Sequence, residues 1–163
     1  MGAPYSFPNR KTTDAMAALL IAQGPTQSVP QVFKLSSDPL TNPGVPIFRV
    51  FSNEEELTPR VEITASAKPE RCGELITGNS FMSVHIRVCS HCDDKTRDQH
   101  YQLAGIVGDI LFQKTADMCA ALNGLGITDF TAQGQYYIES IDEKPVAHEF
   151  ETDFSVSLKV AML

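Results

Sequence analysis

The final segment of the chain places the strongest constraint on its fold. From residue 149 onward the side chains alternate, and one set of alternate positions is almost entirely apolar. The members of that set are Phe150, Thr152, Phe154, Val156, Leu158, Val160 and Met162. The other set carries acidic residues, serines and Lys159. Burial of one face alone is typical of antiparallel sheets, so we predict a sheet of that kind.

Four other segments predict strands. Residues 60–66 and 82–89 alternate polar and apolar side chains, and residues 130–140 follow the same period. Residues 45–51 predict a strand at a sheet edge, where Pro46 is tolerated because an edge strand need not donate every backbone hydrogen bond. Before the final strand, a polar stretch predicts a turn or protruding loop formed by Asp142, Glu143, Lys144 and Pro145.

Two regions have helical patterns. Residues 12–14 predict the cap of a helix over 15–22 that stops at Gly24. This helix is apolar on nearly every side, so it must be covered by the chain's own core or by a neighbouring subunit. Thr96 and Gln99 predict a capping box, after which apolar residues recur at helical spacing up to residue 123. A second possible cap near residue 115 predicts that this run is divided into two helices.

These elements together predict an α+β fold, an antiparallel sheet of four to five strands with helices packed on one face. We expect an N-terminal helix and an extended proline-rich arm before the sheet, because six prolines fall between residues 24 and 60. A length of 163 residues fits a single domain over 1–163. Within it we expect an N-terminal part over 1–59 and an α+β core over 60–163.

The charge balance argues against nucleic acid as a tightly bound partner. The chain has 13 basic and 20 acidic residues, a formal net charge of −7. Tight binding to nucleic acid needs clustered Lys and Arg, which the composition does not favour.

No run approaches the roughly 18 apolar residues of a membrane span, so we expect no membrane partner. The four cysteines are unevenly spaced in a chain large enough to fold without disulfides, which favours a reduced intracellular protein.

The segment RVCSHCDDKTRDQH, residues 87–100, contains the most concentrated group of possible metal ligands. Cys89 and Cys92 have C-x-x-C spacing, and His100 follows in the next predicted helix. A structural zinc site usually has a second closely spaced ligand pair, which the sequence lacks. A redox dithiol needs the pair at a helix start, whereas this helix is predicted to begin after Cys92. The preferred interpretation is a strand end, a polar turn and a helix cap.

We therefore expect no metal, no cofactor and no catalytic residue. The sequence also has no P-loop, no dinucleotide-binding glycine motif, no nucleophile elbow and no H-E-x-x-H zinc motif. Cys89, Cys92 and His100 stay the candidates for a metal site. A small zinc- or thiol-dependent protein that uses the two cysteines is the alternative from a different functional class.

Several segments of the sequence resemble those of a known family. They are PRVEITAS, GNSFMSVHIRVCSHCDDKTRDQHYQLAGIVGDILF, DMCAALN, ITDFTAQG and HEFETDFSVSLKVAML. In this order, after an N-terminal helix, they resemble the tail-terminator, or tail-completion, proteins of long-tailed bacteriophages over most of residues 13–163. The resemblance implies a structural virion protein that forms a ring, commonly a hexamer, at the head-proximal end of the tail tube. Such a ring stops tube polymerisation and joins the tail to the neck and head.

The resemblance also implies partners and a location. The partners would be further copies of the chain, the tail tube protein and the neck or head-completion proteins, with genome DNA passing through the lumen without specific binding. The location would be the tail–neck region of a virion assembled in the host cytoplasm. Another neck or minor tail protein of the same virion is an alternative within this class.

A ring requires a heterologous interface that closes on itself, and such interfaces bury apolar surface. The excess of apolar residues near the N-terminus and the polar stretch before the last strand supply the candidates for subunit or partner contacts. They are Tyr5, Phe7, Met16, Leu19, Leu20, Ile47, Phe48, Phe51, Asp142, Glu143, Lys144 and Pro145. We expect the last four to make contacts along the tail axis.

Overall fold

The computed structural model describes residues 7–24, 32–39, 44–49, 59–91, 93–146 and 149–161. Three helices and six strands are formed by these residues. In chain order they are α1 (Pro8–Gln23), β1 (Phe33–Leu35), β2 (Val45–Phe48), β3 (Arg60–Cys72), β4 (Leu75–His91), α2 (Asp94–Leu111), α3 (Thr115–Asn123), β5 (Ala132–Val146) and β6 (Glu149–Ala161). The fold class is therefore α+β, as predicted.

The sheet is larger than predicted and is not wholly antiparallel. Its six strands lie in the order β1-β2-β3-β4-β6-β5. The pairs β3–β4, β4–β6 and β6–β5 are antiparallel, whereas β1–β2 and β2–β3 are parallel. The prediction missed β1, which has only three residues, too few to show a period. It included the strand at residues 45–51 but not the parallel pairing of that strand.

The position of Pro46 also differs from the prediction. The strand that contains it, β2, lies between β1 and β3 rather than at the sheet edge. Pro46 pairs with Lys34 of β1, but the described pairing of β2 with β3 begins one residue later, at Ile47. A proline is tolerated there because it removes no hydrogen bond from the ladder with β3.

The three helices share one core with one face of the sheet. α1 contacts β3 and β4, α2 contacts β4 and β6, and α3 contacts β5, while α1 also contacts both other helices. The buried set on the sheet includes Ile63, Ile86 and Val156, which occupy neighbouring positions across three strands. The period-two pattern of the last segment is confirmed, since Phe154, Val156, Leu158 and Val160 are all buried.

The start of α1 was predicted incorrectly. The helix begins at Pro8, a residue favoured in the first turn because the missing amide hydrogen has no partner there in any case. The hydroxyls of Thr12 and Thr13 donate to the carbonyl oxygens of Pro8 and Arg10, at 2.8 and 3.1 Å. These threonines therefore lie inside the helix and bond back to its preceding turn instead of capping it.

The fold itself covers four residues that were predicted to contact a partner. Met16, Leu19, Leu20 and Ile47 are 0% exposed within the single chain. Of the two covers considered for the apolar helix, the chain's own core is the one that the described residues form. The prediction that these four side chains lie at a subunit interface is thus corrected, because they have no surface left to offer.

Two hairpins are longer than predicted. β3 and β4 continue past their predicted ends and are joined by a two-residue loop, where Gly73 has a φ of +64° that favours glycine. Residues 142–145 were predicted as a loop but belong to β5, where they pair with residues 150–153 of β6. The prediction was wrong because Asp and Pro are common in turns. Pro145 is tolerated here because β5 is an edge strand, whose outer side needs no backbone donors.

Candidate functional site

The cysteine and histidine segment forms the junction between β4 and α2. β4 ends at His91 and α2 begins at Asp94, so the predicted strand end and the predicted helix start after Cys92 are confirmed. The capping box is wrong: the Thr96 hydroxyl donates to the carbonyl oxygens of His91 and Asp93, at 2.7 and 3.0 Å. Thr96 therefore lies within the first turn of α2 and ties that turn to the end of β4. Cys92 lies outside the described residues.

Cys89 and His100 lie on opposite faces of the sheet. The Nε2 atom of His100 is 2.8 Å from the Thr152 hydroxyl, and its Nδ1 atom is 2.8 Å from the Ser90 hydroxyl. Ser90 and Thr152 are on the face that the helices cover, whereas Cys89 pairs with Glu151 on the other face. One metal ion cannot bind both residues. Among the residues that the structure describes, no group of three His, Cys, Asp or Glu side chains could hold a metal ion.

The environment of Cys89 disfavours a reactive thiolate. The residue is buried, and this burial, assisted by Glu62, raises the pKa of the thiol to about 12 although Arg60 acts in the opposite direction. A nucleophilic or metal-binding cysteine must lose its proton, which usually requires partial exposure and nearby positive charge that outweighs desolvation. This geometry argues against the thiol-dependent alternative as far as Cys89 is concerned.

His100 is placed as a neutral structural residue. It is buried, and both ring nitrogens are within hydrogen-bond distance of hydroxyl groups. Burial lowers the pKa of the imidazole, an effect that Glu143 partly opposes. A groove of about 600 Å³ runs beside it, lined by His91, Asp93, Asp94, Arg97, His100 and Phe150. Because His100 uses both nitrogens within the fold, it offers no free nitrogen to a ligand in this groove.

A buried ionic cluster lies on the other face of the sheet, where β3 and β6 begin. The guanidinium group of Arg60 donates to both carboxylate oxygens of Glu149, one of them at 2.8 Å, and to Glu62 at 3.0 Å. Burial alone would lower the pKa of Arg60, but the hydrogen bonds to the two carboxylates raise it above its usual value. The cluster links β3 to the end of the β5–β6 hairpin, so its role is to stabilise the fold.

The remaining predicted contact residues differ in exposure. Phe7 is 64% exposed, Phe48 is half-buried, and Asp142, Glu143, Lys144 and Pro145 are exposed on β5. Tyr5 and Phe51 lie outside the described residues. The surface open to a partner therefore includes Phe7 and the edge strand β5, but not the buried face of α1.

Two strongly exposed apolar residues were not predicted. Leu75 is 74% exposed and Ile76 is 61% exposed, both at the tip of the β3–β4 hairpin. Residues 66–69 and 71–77 are exposed whichever way their side chains point, so the part of the chain that the structure describes packs no layer on either face here. We call residues 66–77 the hairpin arm. The sequence feature that could have predicted this arm is a glycine at the first position of a two-residue loop, with a short extended segment on each side.

Two comparisons of the amino-acid sequence find no match to the chain. No protein-family model matches it, and no curated protein sequence matches it at a significant level. Within the described residues, no helix is long and apolar enough to cross a membrane.

Proposed function

We propose that the chain is a structural virion protein, a tail terminator that forms a ring at the head-proximal end of a phage tail tube. The ring stops tube polymerisation and joins the tail to the neck and head. It consists of further copies of the chain, has no catalytic role, and lets genome DNA pass through its lumen without specific binding. The family resemblance motivates this proposal, and the surface of the fold supports it.

The hairpin arm is the observation that carries the proposal. The outer part of the arm, where Arg71 pairs with Ile76 and Cys72 with Leu75, has no third strand among the described residues. Exposed apolar residues at such a tip are typical of a surface that becomes buried on assembly. A two-stranded ribbon alone is marginally stable in water, so contacts with another protein would stabilise it. In a tail terminator, such an arm would contact the tail tube or the neck protein.

The charge of the chain fits the proposed lumen. A net charge of −7 repels the DNA backbone, and like charges reduce adhesion during passage of the genome. The same charge would make little sense for a protein that holds DNA through phosphate contacts.

Tail length in lysates tests the proposal. A phage that lacks the chain should produce overlong tails, and the wild-type chain supplied in trans should restore normal length. The double variant Leu75→Asp/Ile76→Asp should fail to restore it, because two charges at the tip prevent apolar contact. Phe112→Asp is the matched control, since Phe112 is also exposed, at 62%, but lies outside the hairpin arm. Tails of normal length without the chain would refute the proposed function.

A further inference from the structure

Among the described residues, the sheet has two open edges on opposite sides. β5 is the outermost strand on one side, and its outer edge extends over 15 residues. On the other side β2 pairs with β3 only at Val61 and Glu62. Beyond Glu62, no strand among the described residues pairs with this side of β3. We call residues 64–72 the open edge of β3. Unpaired strand edges present rows of backbone donors and acceptors that readily pair with another chain.

The two edges also match in regularity. The pairing of β5 with β6 has register shifts near its start but none over residues 140–146. The pairing of β3 with β4 has none from Arg60 to Pro69, with the irregularity lying beyond it. Each side of the sheet thus offers a regular stretch of six or more residues, which is about the length of an ordinary strand.

The charges near the two edges are opposite. Residues 139–144 of β5 carry Glu139, Asp142, Glu143 and Lys144, three negative charges and one positive. Beside the open edge of β3 a groove of about 490 Å³ is lined by Asn9, Arg10, Thr13, Asp14, Arg49, Thr64 and Ala65. With Lys68, Glu70 and Arg71 on the strand itself, that side has four positive and two negative charges. A basic surface is a local exception in a chain of net charge −7.

The arginines of this groove carry more positive charge than the groove neutralises. Arg49 pairs with Asp14 at 2.7 Å, and Arg10 lies 3.8 Å from the same carboxylate. Two guanidinium groups therefore share one carboxylate, and the Arg10 side chain is 84% exposed. A partner that brings acidic side chains to this groove would supply the missing negative charge.

The topology fixes the orientation of a second copy. β3 is antiparallel to β4, β4 to β6 and β6 to β5, so β3 and β5 run in opposite directions within one chain. If neighbouring copies repeat head to tail about an axis along the strands, β5 of one copy meets β3 of the next in antiparallel orientation. Edges of opposite charge on opposite sides of one sheet favour this heterologous contact over a two-fold one.

From these observations we propose that β5 of one copy pairs, antiparallel, with the open edge of β3 in the next copy. Glu143 then lies on the helix-covered face with Arg10 and Arg49, and Asp142 lies on the opposite face with Lys68. The inference rests on the proposed ring and names its subunit contact. It also assigns a role to Asp142 and Glu143 that differs from contact along the tail axis.

Charge reversal on each edge tests this contact by sedimentation velocity across a concentration series. Asp142→Lys/Glu143→Lys and, separately, Arg10→Glu/Lys68→Glu should each raise the concentration for half-assembly by at least about 10-fold, because like charges then face each other. Combining the four substitutions in one chain should restore assembly to within about 3-fold of the wild type, because the charges are again opposite.

Asp109→Lys/Asp117→Lys is the matched control, with the same change in net charge at exposed positions of α2 and α3. Alone it should leave assembly unchanged, and added to Arg10→Glu/Lys68→Glu it should not rescue. Circular dichroism confirms that each variant is folded. If all variants assemble like the wild type, or if the control rescues equally well, the edge contact is refuted while the ring stands. If the wild type never assembles, both the contact and the proposed ring are refuted.

Discussion

At the residue scale, loss of the Arg60 side chain should lower stability strongly. Its guanidinium group is buried and hydrogen-bonded to Glu149 and Glu62. Arg60→Ala removes the cation that is bonded to Glu149 inside the fold, so the free energy of unfolding should fall by about 3–5 kcal/mol. Arg71→Ala, on the exposed arm, should change it by less than about 0.5 kcal/mol. Denaturant titration of both variants at equal protein concentration measures this, and similar values for the two would contradict the prediction.

His100 should make stability depend on pH. The pKa of His100 is lower in the folded chain than its ordinary value of about 6.5. When the pH falls below 6.5, the unfolded chain therefore binds a proton at His100 more readily than the folded chain does. Its contribution is present above that value and is lost as the pH falls through the folded pKa. We therefore expect His100→Gln to lose less stability than the wild type between pH 7.5 and pH 5. Equal losses in paired denaturant titrations would show that His100 does not contribute.

At the element scale, the sequence predicted those elements whose two faces differ in environment. β6 was clear because one face packs against the helices, and the split between α2 and α3 followed from residues near Thr115. The hairpin arm was missed because solvent on both faces removes the selection for alternating apolar residues. The cap at Thr96 was misread because its hydroxyl donates to the end of β4, a contact that depends on the tertiary fold.

At the scale of the whole molecule, sequence could not tell which apolar residues the chain covers by itself. The helix around Leu19 and the strand at Ile47 looked like surface that needs a partner, yet both are buried in the chain's own core. Exposed contact surface comes instead from the hairpin arm and the sheet edges, which only the arrangement of strands reveals. The paired polar residues Arg60 and Glu149, 89 positions apart, likewise meet only in the folded chain.

Native mass spectrometry of the wild-type chain, over a range of concentrations, tests the central claim most directly. The account predicts a closed species of defined stoichiometry, a hexamer for the implied ring, whose mass is the sum of the polypeptides without bound metal. Dissociation should pass through smaller head-to-tail assemblies, as expected for a heterologous interface. A chain that stays monomeric at every concentration, and also in assembled particles, would contradict the account.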